Sequence, residues 1–291
     1  MKNSKRVKII LSWLFVLLIG SFIAACGNNS EKESEYITIS GSSALLPLME
    51  KSIEKFNEKY LYKEIGAQAG GSGTGLAQVL NGAVNIGNSD MPAEEKLDKA
   101  LADKLIDHKV IAQGFGVVVN KSLGIENLSS NEIRDIFSGK ISNWKEVGGP
   151  NKEILLIHRT AGSGTRATFE RTLLGGDKTL ENDSIGVTQD SNGAVLSVIK
   201  SNDGAISYLS LVYMNTGDAK KSLNTLKIDG VACNKENIIN NSYKFWSWGH
   251  MYTKGEATGL TKEFIEFISS RDNYSSIESL GFISGSEMKV K

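Results

Sequence analysis

Apolar positions change period along this chain in a regular way. A short β-branched run, Tyr36-Ile37-Thr38-Ile39, predicts a strand, and just beyond it Leu45, Leu48, Met49, Ile53, Phe56 and Tyr60 recur at three- and four-residue steps, the spacing of an amphipathic helix. Pro47 falls in the first turn, where a missing N–H is tolerated. The joint is Ser40-Gly41-Ser42-Ser43-Ala44; taken alone, Ser42 or Ser43 there needs no role beyond capping the helix. The succession then repeats. After a weak strand near Ala67, Gly70-Gly71-Ser72-Gly73-Thr74-Gly75 opens a helix with Leu76, Val79, Leu80 and Ala83 on one face. A short apolar strand follows and delivers Asp90 into the turn Asn88-Ser89-Asp90-Met91-Pro92, with an acidic helix expected from Ala93 onward. By itself Asp90 reads as a turn or helix cap.

Residues 109–120 are continuously β-rich with internal glycines, which suits a long strand crossing between two lobes. Ser129-Ser130-Asn131-Glu132 is a capping box, Ile133, Ile136 and Phe137 give its helix a buried stripe, and Gly139 ends it. Trp144 reads as a core or loop anchor. The run Ile154 to Ile157 leads through His158 into Arg159-Thr160-Ala161-Gly162-Ser163-Gly164-Thr165, after which Arg166, Phe169, Leu173 and Leu174 continue at helical spacing. Further on, Ser191-Asn192 caps a helix carrying Val195, Val198 and Ile199; Gly204 to Tyr208, Val212-Tyr213-Met214 and Leu226-Lys227-Ile228 read as strands. Alternation near two from Phe245 to Tyr252 predicts a strand returning between lobes, and Thr261 starts a helix with Phe264, Ile265, Phe267 and Ile268 inward. Strands alternating with helices predict an α/β fold.

The first 26 residues break this style. Lys2, Lys5, Arg6 and Lys8 precede an uncharged apolar stretch, residues 9–23, which ends in Ala24-Ala25-Cys26. That is a secretory signal of residues 1–25, shorter than a membrane-spanning helix requires. A cysteine after two small residues resembles the bacterial lipobox, with Cys26 as the lipid-modified first residue of the mature chain. Residues 26–35 then read as a flexible tether. Removal of the signal takes four basic side chains away and leaves 29 against 33 acidic ones, about −4 overall. The remainder, within a 291-residue chain that is 40% hydrophobic, is long enough for two domains and lacks the basic face that nucleic acid would need. Cys233 remains as the sole thiol, so no disulfide framework arises.

The chemistry lies in the turns. Three Gly-Ser turns precede helices, at Ser43, at Ser72 and at Ser163 to Thr165. Helix N-termini expose N–H groups without intrahelical partners, at the positive end of the helix dipole, and so accept anions. In open α/β sheets, such loops gather beyond the carboxyl ends of the strands. Arg159 adds a planar fork of donors. A net acidic chain gives no long-range attraction, so local geometry must hold the anion. The glycine run lacks the Gly-Lys-Ser/Thr of nucleotide loops, and Ser72 and Ser163 do not sit in Gly-x-Ser-x-Gly. Clustered Cys/His spacing for a metal is also missing, so neither an enzyme nor a cofactor is expected.

Together, Gly41-Ser42-Ser43-Ala44-Leu45-Leu46-Pro47, Gly71-Ser72-Gly73-Thr74-Gly75, Ile86-Gly87-Asn88-Ser89-Asp90-Met91-Pro92 and Arg159-Thr160-Ala161-Gly162-Ser163-Gly164-Thr165 resemble the motifs of the solute-binding proteins of ABC-type phosphate importers, in order and spacing from Tyr36 to the end. The resemblance implies a type II periplasmic-binding-protein fold, two α/β lobes joined by two crossing strands: residues 36–112 plus 249–291 in one and 113–248 in the other. It implies a monomer outside the cytoplasm, anchored to the membrane through lipid on Cys26, that hands inorganic phosphate to membrane permease subunits. The implied ligands are Ser43, Ala44, Leu45, Ser72 and Asp90 from one lobe and Arg159, Ser163, Gly164 and Thr165 from the other. The family often has a hydroxyl residue where Leu45 stands and an acid where Ala161 stands. Asp90 gains a role in this setting. A carboxylate repels an oxyanion unless the anion donates a proton to it, which hydrogen phosphate does and sulfate cannot at neutral pH. Carriage of sulfate or molybdate, or a surface sensing or adhesion lipoprotein, is the rival expectation.

Overall fold

The computed structural model describes residues 35–290, and these form one compact unit. The signal, Cys26 and most of the tether lie outside the described residues. Glu35, expected in the tether, instead opens the first strand.

Twelve strands are present among the described residues: β1 Glu35–Gly41, β2 Lys63–Ala69, β3 Ile86–Ser89, β4 Leu105–Asn120, β5 Asn127–Leu128, β6 Leu155–Arg159, β7 Val187–Gln189, β8 Ala205–Ser210, β9 Leu223–Thr225, β10 Lys227–Ile228, β11 Trp246–Lys254 and β12 Ile283–Ser284. The main sheet runs in the order β2-β1-β3-β11-β4-β8-β6-β7. Parallel pairs, β1 with β2 and β3 and β6 with β7 and β8, occupy its two ends. Both arise from strand-helix-strand units, the connection that adjacent parallel strands require. The middle is antiparallel: β11 pairs with the first part of β4, and β8 with the last part. The sixteen-residue β4 thus joins the two ends, as its β-rich sequence implied.

The longer helices are α1 Leu46–Lys59, α2 Ser72–Leu80, α3 Ser130–Phe137, α4 Gly164–Thr172, α5 Asn192–Ser201 and α6 Gly259–Ile268. α1 lays Leu48, Met49 and Phe56 on β1, and Phe56 meets Phe264 and Phe267 of α6 edge to face. A separate core lies under the other end, where Phe115, Phe137, Phe169, Tyr208 and Phe245 pack together, with the Phe169 and Tyr208 rings stacked at 4.3 Å. Each such buried ring contributes roughly 1.5–3 kcal/mol. Two apolar cores at the ends of one sheet, with β4 and β11 between them, make this the two-lobed type II binding-protein architecture.

Local details follow the sequence with few departures. The Ser129 capping box is present in both directions, and Gly139 stops the chain at φ 82°. Trp144 is buried and donates its indole N–H to the Gly204 carbonyl at 2.9 Å. Val212-Tyr213-Met214 is helical, not a strand, as part of Leu211–Met214. The short apolar run had no period to distinguish the two, and Ser210 turns the chain before it. The acidic stretch after Pro92 forms only a 3-10 turn, Ala93–Glu95, and one turn of helix, Lys99–Ala102. Ala83 lies beyond the end of α2 and is exposed.

Candidate functional site

The four motif loops meet at one place, each brought there by the carboxyl end of a strand: β1 leads to Ser42 and Ser43, β2 to Ser72, β3 to Asp90, and β6 to Arg159 and the start of α4. They touch across the middle of the molecule. Gly73 donates its N–H to the Gly162 carbonyl at 2.9 Å, and a methyl group built on Gly164 would stand 2.3 Å from Ser72 Oγ. Gly71, at φ 84°, and Gly164 therefore serve two different needs: the first a positive-φ backbone, the second a close approach of two loops.

Asp90 is buried, 1% exposed. Its Oδ1 accepts from Ser42 Oγ at 2.5 Å and Gln113 Nε2 at 2.8 Å, and its Oδ2 accepts from Thr165 Oγ1 at 3.3 Å. Its own N–H donates to Ser72 Oγ at 3.0 Å. Burial raises this carboxyl above the ordinary range, while Ser42, Gln113, the Arg159 charge and Thr165 pull it back down.

Arg159 is equally buried. Nη2 donates to the Asp190 carbonyl at 3.0 Å and to Ser43 Oγ at 3.4 Å, but Nε and Nη1 find no partner in the described structure. Burial lowers its affinity for the proton. No ion pair to Arg159 forms among the described residues. Ala161 supplies no acid, and the neighbouring carboxylates belong to Arg166. Arg166 forks onto Asp183 at 2.8 and 2.9 Å, reaches Glu170 at 2.7 Å and Glu181 at 3.5 Å, and donates to the carbonyl of Arg159 itself at 2.7 Å. The grouping of His158, Glu181 and Asp183 is thus the cage of a second arginine, which steadies the loop from below.

The remaining expected residues take distinct positions. Ser43 Oγ accepts from both the N–H and the side-chain amide of Asn192, at 3.2 and 3.1 Å, and Tyr213 donates to its carbonyl at 3.0 Å. With donors already on that oxygen, its own hydrogen is available to an acceptor. The N–H groups of Ala44 and Leu45 point at Ser42 Oγ, at 3.0 and 3.4 Å, so Ser42 gathers the first loop. The Leu45 side chain is buried in the core beneath α1. Ser163 caps α4 by accepting from Arg166 N–H at 3.2 Å, leaving Gly164 and Thr165 at the open N-terminus.

Sequence reasoning missed Ser42 as a ligand of Asp90, and it missed Gln113, Asn192 and Tyr213. Gln113 carried one signal: it is the single polar residue between Val110 and Val119. A cavity of about 500 Å³ beside Trp246 and Trp248 is lined by Pro92 at the end of the Asp90 loop, but by none of the expected ligand residues.

Comparison with known proteins gives the family. The chain fits the PBP superfamily domain model over residues 27–272. It is 43% identical to the phosphate-binding protein PstS of Bacillus subtilis, over 100% of this chain and 97% of that one. The chain belongs to the PstS family. Among solved structures, it is similar to a putative phosphate ABC transporter substrate-binding protein with bound phosphate from Clostridium perfringens, with TM-score 0.78 and 29% identity over 86% of this chain and 99% of that one. An ABC-type phosphate transport receptor from Vibrio cholerae matches with TM-score 0.66 and 25% identity over 86% of this chain and 100% of that one. The relation to the Bacillus subtilis protein thus runs along the whole chain, and the four loops lie within the matched residues 27–272.

Proposed function

We propose that this PstS-family chain binds inorganic phosphate outside the cytoplasm and delivers it to an ABC-type importer, without catalysing a reaction. One observation carries the reading: a buried guanidinium with two unpartnered nitrogens, Nε and Nη1, shares a cluster of loops with a buried carboxylate. The first attracts any oxyanion. The second tolerates only one that brings a proton, because an anion without one leaves a charged acceptor facing a negative oxygen.

The proposed ligands are Arg159, the hydroxyls of Ser43, Ser72 and Thr165, the N-terminal amides of α4 with Ser163 and Gly164, and Asp90 as acceptor from the bound anion. Ala44 and Leu45 would act through backbone N–H groups after release from Ser42. The lobes divide as residues 36–112 plus 249–291 and residues 113–248, and close on the anion as a monomer. Lipid on Cys26 holds the chain near its permease; among the described residues no helix is long and apolar enough to cross a membrane.

Titration calorimetry near neutral pH tests the reading directly. Phosphate is expected to bind tightly and sulfate barely to compete. Comparable affinities for the two would point to a general oxyanion carrier and overturn the assignment.

A further inference from the structure

We propose that Gln113 is a specificity-determining residue: its amide holds the Asp90 carboxylate in the ionised form, and so sets the pH below which the site stops rejecting oxyanions that carry no proton. The proposal rests on the phosphate reading above and adds a residue that none of the four motifs contains.

Three side chains touch the Asp90 carboxylate, and they are not equivalent. Ser42 and Thr165 present hydroxyls, which donate to a carboxylate but also accept from a carboxylic acid by rotation. The amide nitrogen of Gln113 only donates. It bars a proton from Oδ1, and it binds the charged oxygen more strongly than it would bind a neutral carbonyl. The orientation of the amide is therefore set by its neighbour: NH2 faces Asp90 and Oε1 faces away.

That orientation is costly, which argues for a use. Gln113 is 1% exposed in the middle of the apolar β4, and its Oε1 has no partner in the described structure. Directly opposite on β11 stands Ser247, buried, whose Oγ is also unpartnered. An apolar side chain here would avoid an unsatisfied acceptor.

The charge setting of Asp90 makes one donor matter. Of the groups around it, Arg159 on β6 favours the ionised form, Tyr213 on Leu211–Met214 lies near enough to sense its charge, and burial opposes ionisation most strongly of all. Without Gln113, burial is less opposed and the carboxyl rises further. Once protonated, Asp90 is a donor and no longer excludes sulfate. A higher Asp90 midpoint thus extends sulfate binding to higher pH.

The test compares the mature chain with Gln113→Met, which keeps length and removes the donor. Sulfate stays fully ionised between pH 5 and 8, so the pH dependence of its direct binding, measured without phosphate, reports the site's own proton. The sulfate curve is expected to move about one pH unit upward in the variant, the size of one charge-assisted hydrogen bond. A curve superimposable on the unmodified protein's, with melting temperature retained, would overturn the proposal. If the variant does not fold, carbon-13 NMR of the Asp90 carboxyl and nitrogen-15 NMR of the Gln113 amide in the unmodified chain decide. A shared titration midpoint supports the coupling, and an amide signal indifferent to Asp90 refutes it. Absence of phosphate binding to the unmodified protein would sink the functional reading instead, and the two NMR titrations would still judge Gln113.

Discussion

Arg159 and Asp90 carry opposite charges in one buried site, yet each is turned to other partners, and this separation defines their individual effects. Removing Arg159 leaves the bound anion without its full positive charge. Arg159→Met is expected to weaken phosphate binding by at least about a hundredfold, of the order seen when one partner of a buried charge pair is lost, read by calorimetry. Asp90 acts in the opposite sense on stability. Burial raises its carboxyl above the unfolded value, so the native chain holds a proton more readily than the unfolded one, and stability falls as pH rises through the interval between the two values. Asp90→Asn removes that penalty while keeping an acceptor for Ser42 and Gln113. The variant without ligand is expected to melt higher than the unmodified chain at pH 7 to 8, with the phosphate-to-sulfate affinity ratio reduced. An unchanged ratio would remove Asp90 from the selective role. Cys233 invites no comparable experiment: burial pushes its thiol up to about 12, and it lies against the Phe115 carbonyl at 3.4 Å.

At the scale of elements, the unit is a strand, a glycine-serine turn and a helix start, used three times, with a fourth loop supplying the acid. Gly164 shows how tightly these units meet. It is the first residue of α4 and has no positive φ, so alanine there suits the helix. Its methyl group would nevertheless collide with Ser72 Oγ and approach Asp90 Cβ to 2.8 Å, contacts that the proposed closure of the lobes would bring about. Gly164→Ala is therefore expected to keep its melting temperature without ligand, within about 1 kcal/mol, while phosphate affinity falls by tenfold or more in calorimetry. These turns were legible in the sequence because glycine, serine and helical periodicity are local signals. The capping box at Ser129 and the length of β4 were legible for the same reason. The role of Gln113 was not, since a polar residue in a strand declares no partner until β4 is placed beside Asp90. Tyr213 and Asn192 were hidden similarly: both reach Ser43 from more than 140 residues away, and the three-residue apolar run around Tyr213 has too few positions to show a helical period.

For the whole molecule, the question is which contacts hold the two lobes together. With the lobes divided as proposed, two contacts besides the motif loops would span the boundary: Arg171 on α4 meets Glu95 at 2.5 Å, and Lys235 reaches Glu278 and Glu287 at 3.1 and 2.7 Å. Arg171 and Glu95 are 39% and 32% exposed, so their pairing is screened by water and worth about 0–1 kcal/mol. In the proposed site, buried groups act where screening is weak, and anion binding there would couple closure to ligand through the affinity difference between the two states. A closure driven by the anion predicts an unequal response to mutation. Arg171→Gln is expected to change phosphate affinity by less than about fivefold, mostly by faster release, and to leave phosphate-induced compaction in small-angle X-ray scattering intact. Arg159→Met should abolish that compaction at phosphate concentrations that saturate the unmodified chain. If the order were reversed, with compaction lost in Arg171→Gln and kept in Arg159→Met, the surface ion pair would be the latch and the buried arginine only a passenger in closure.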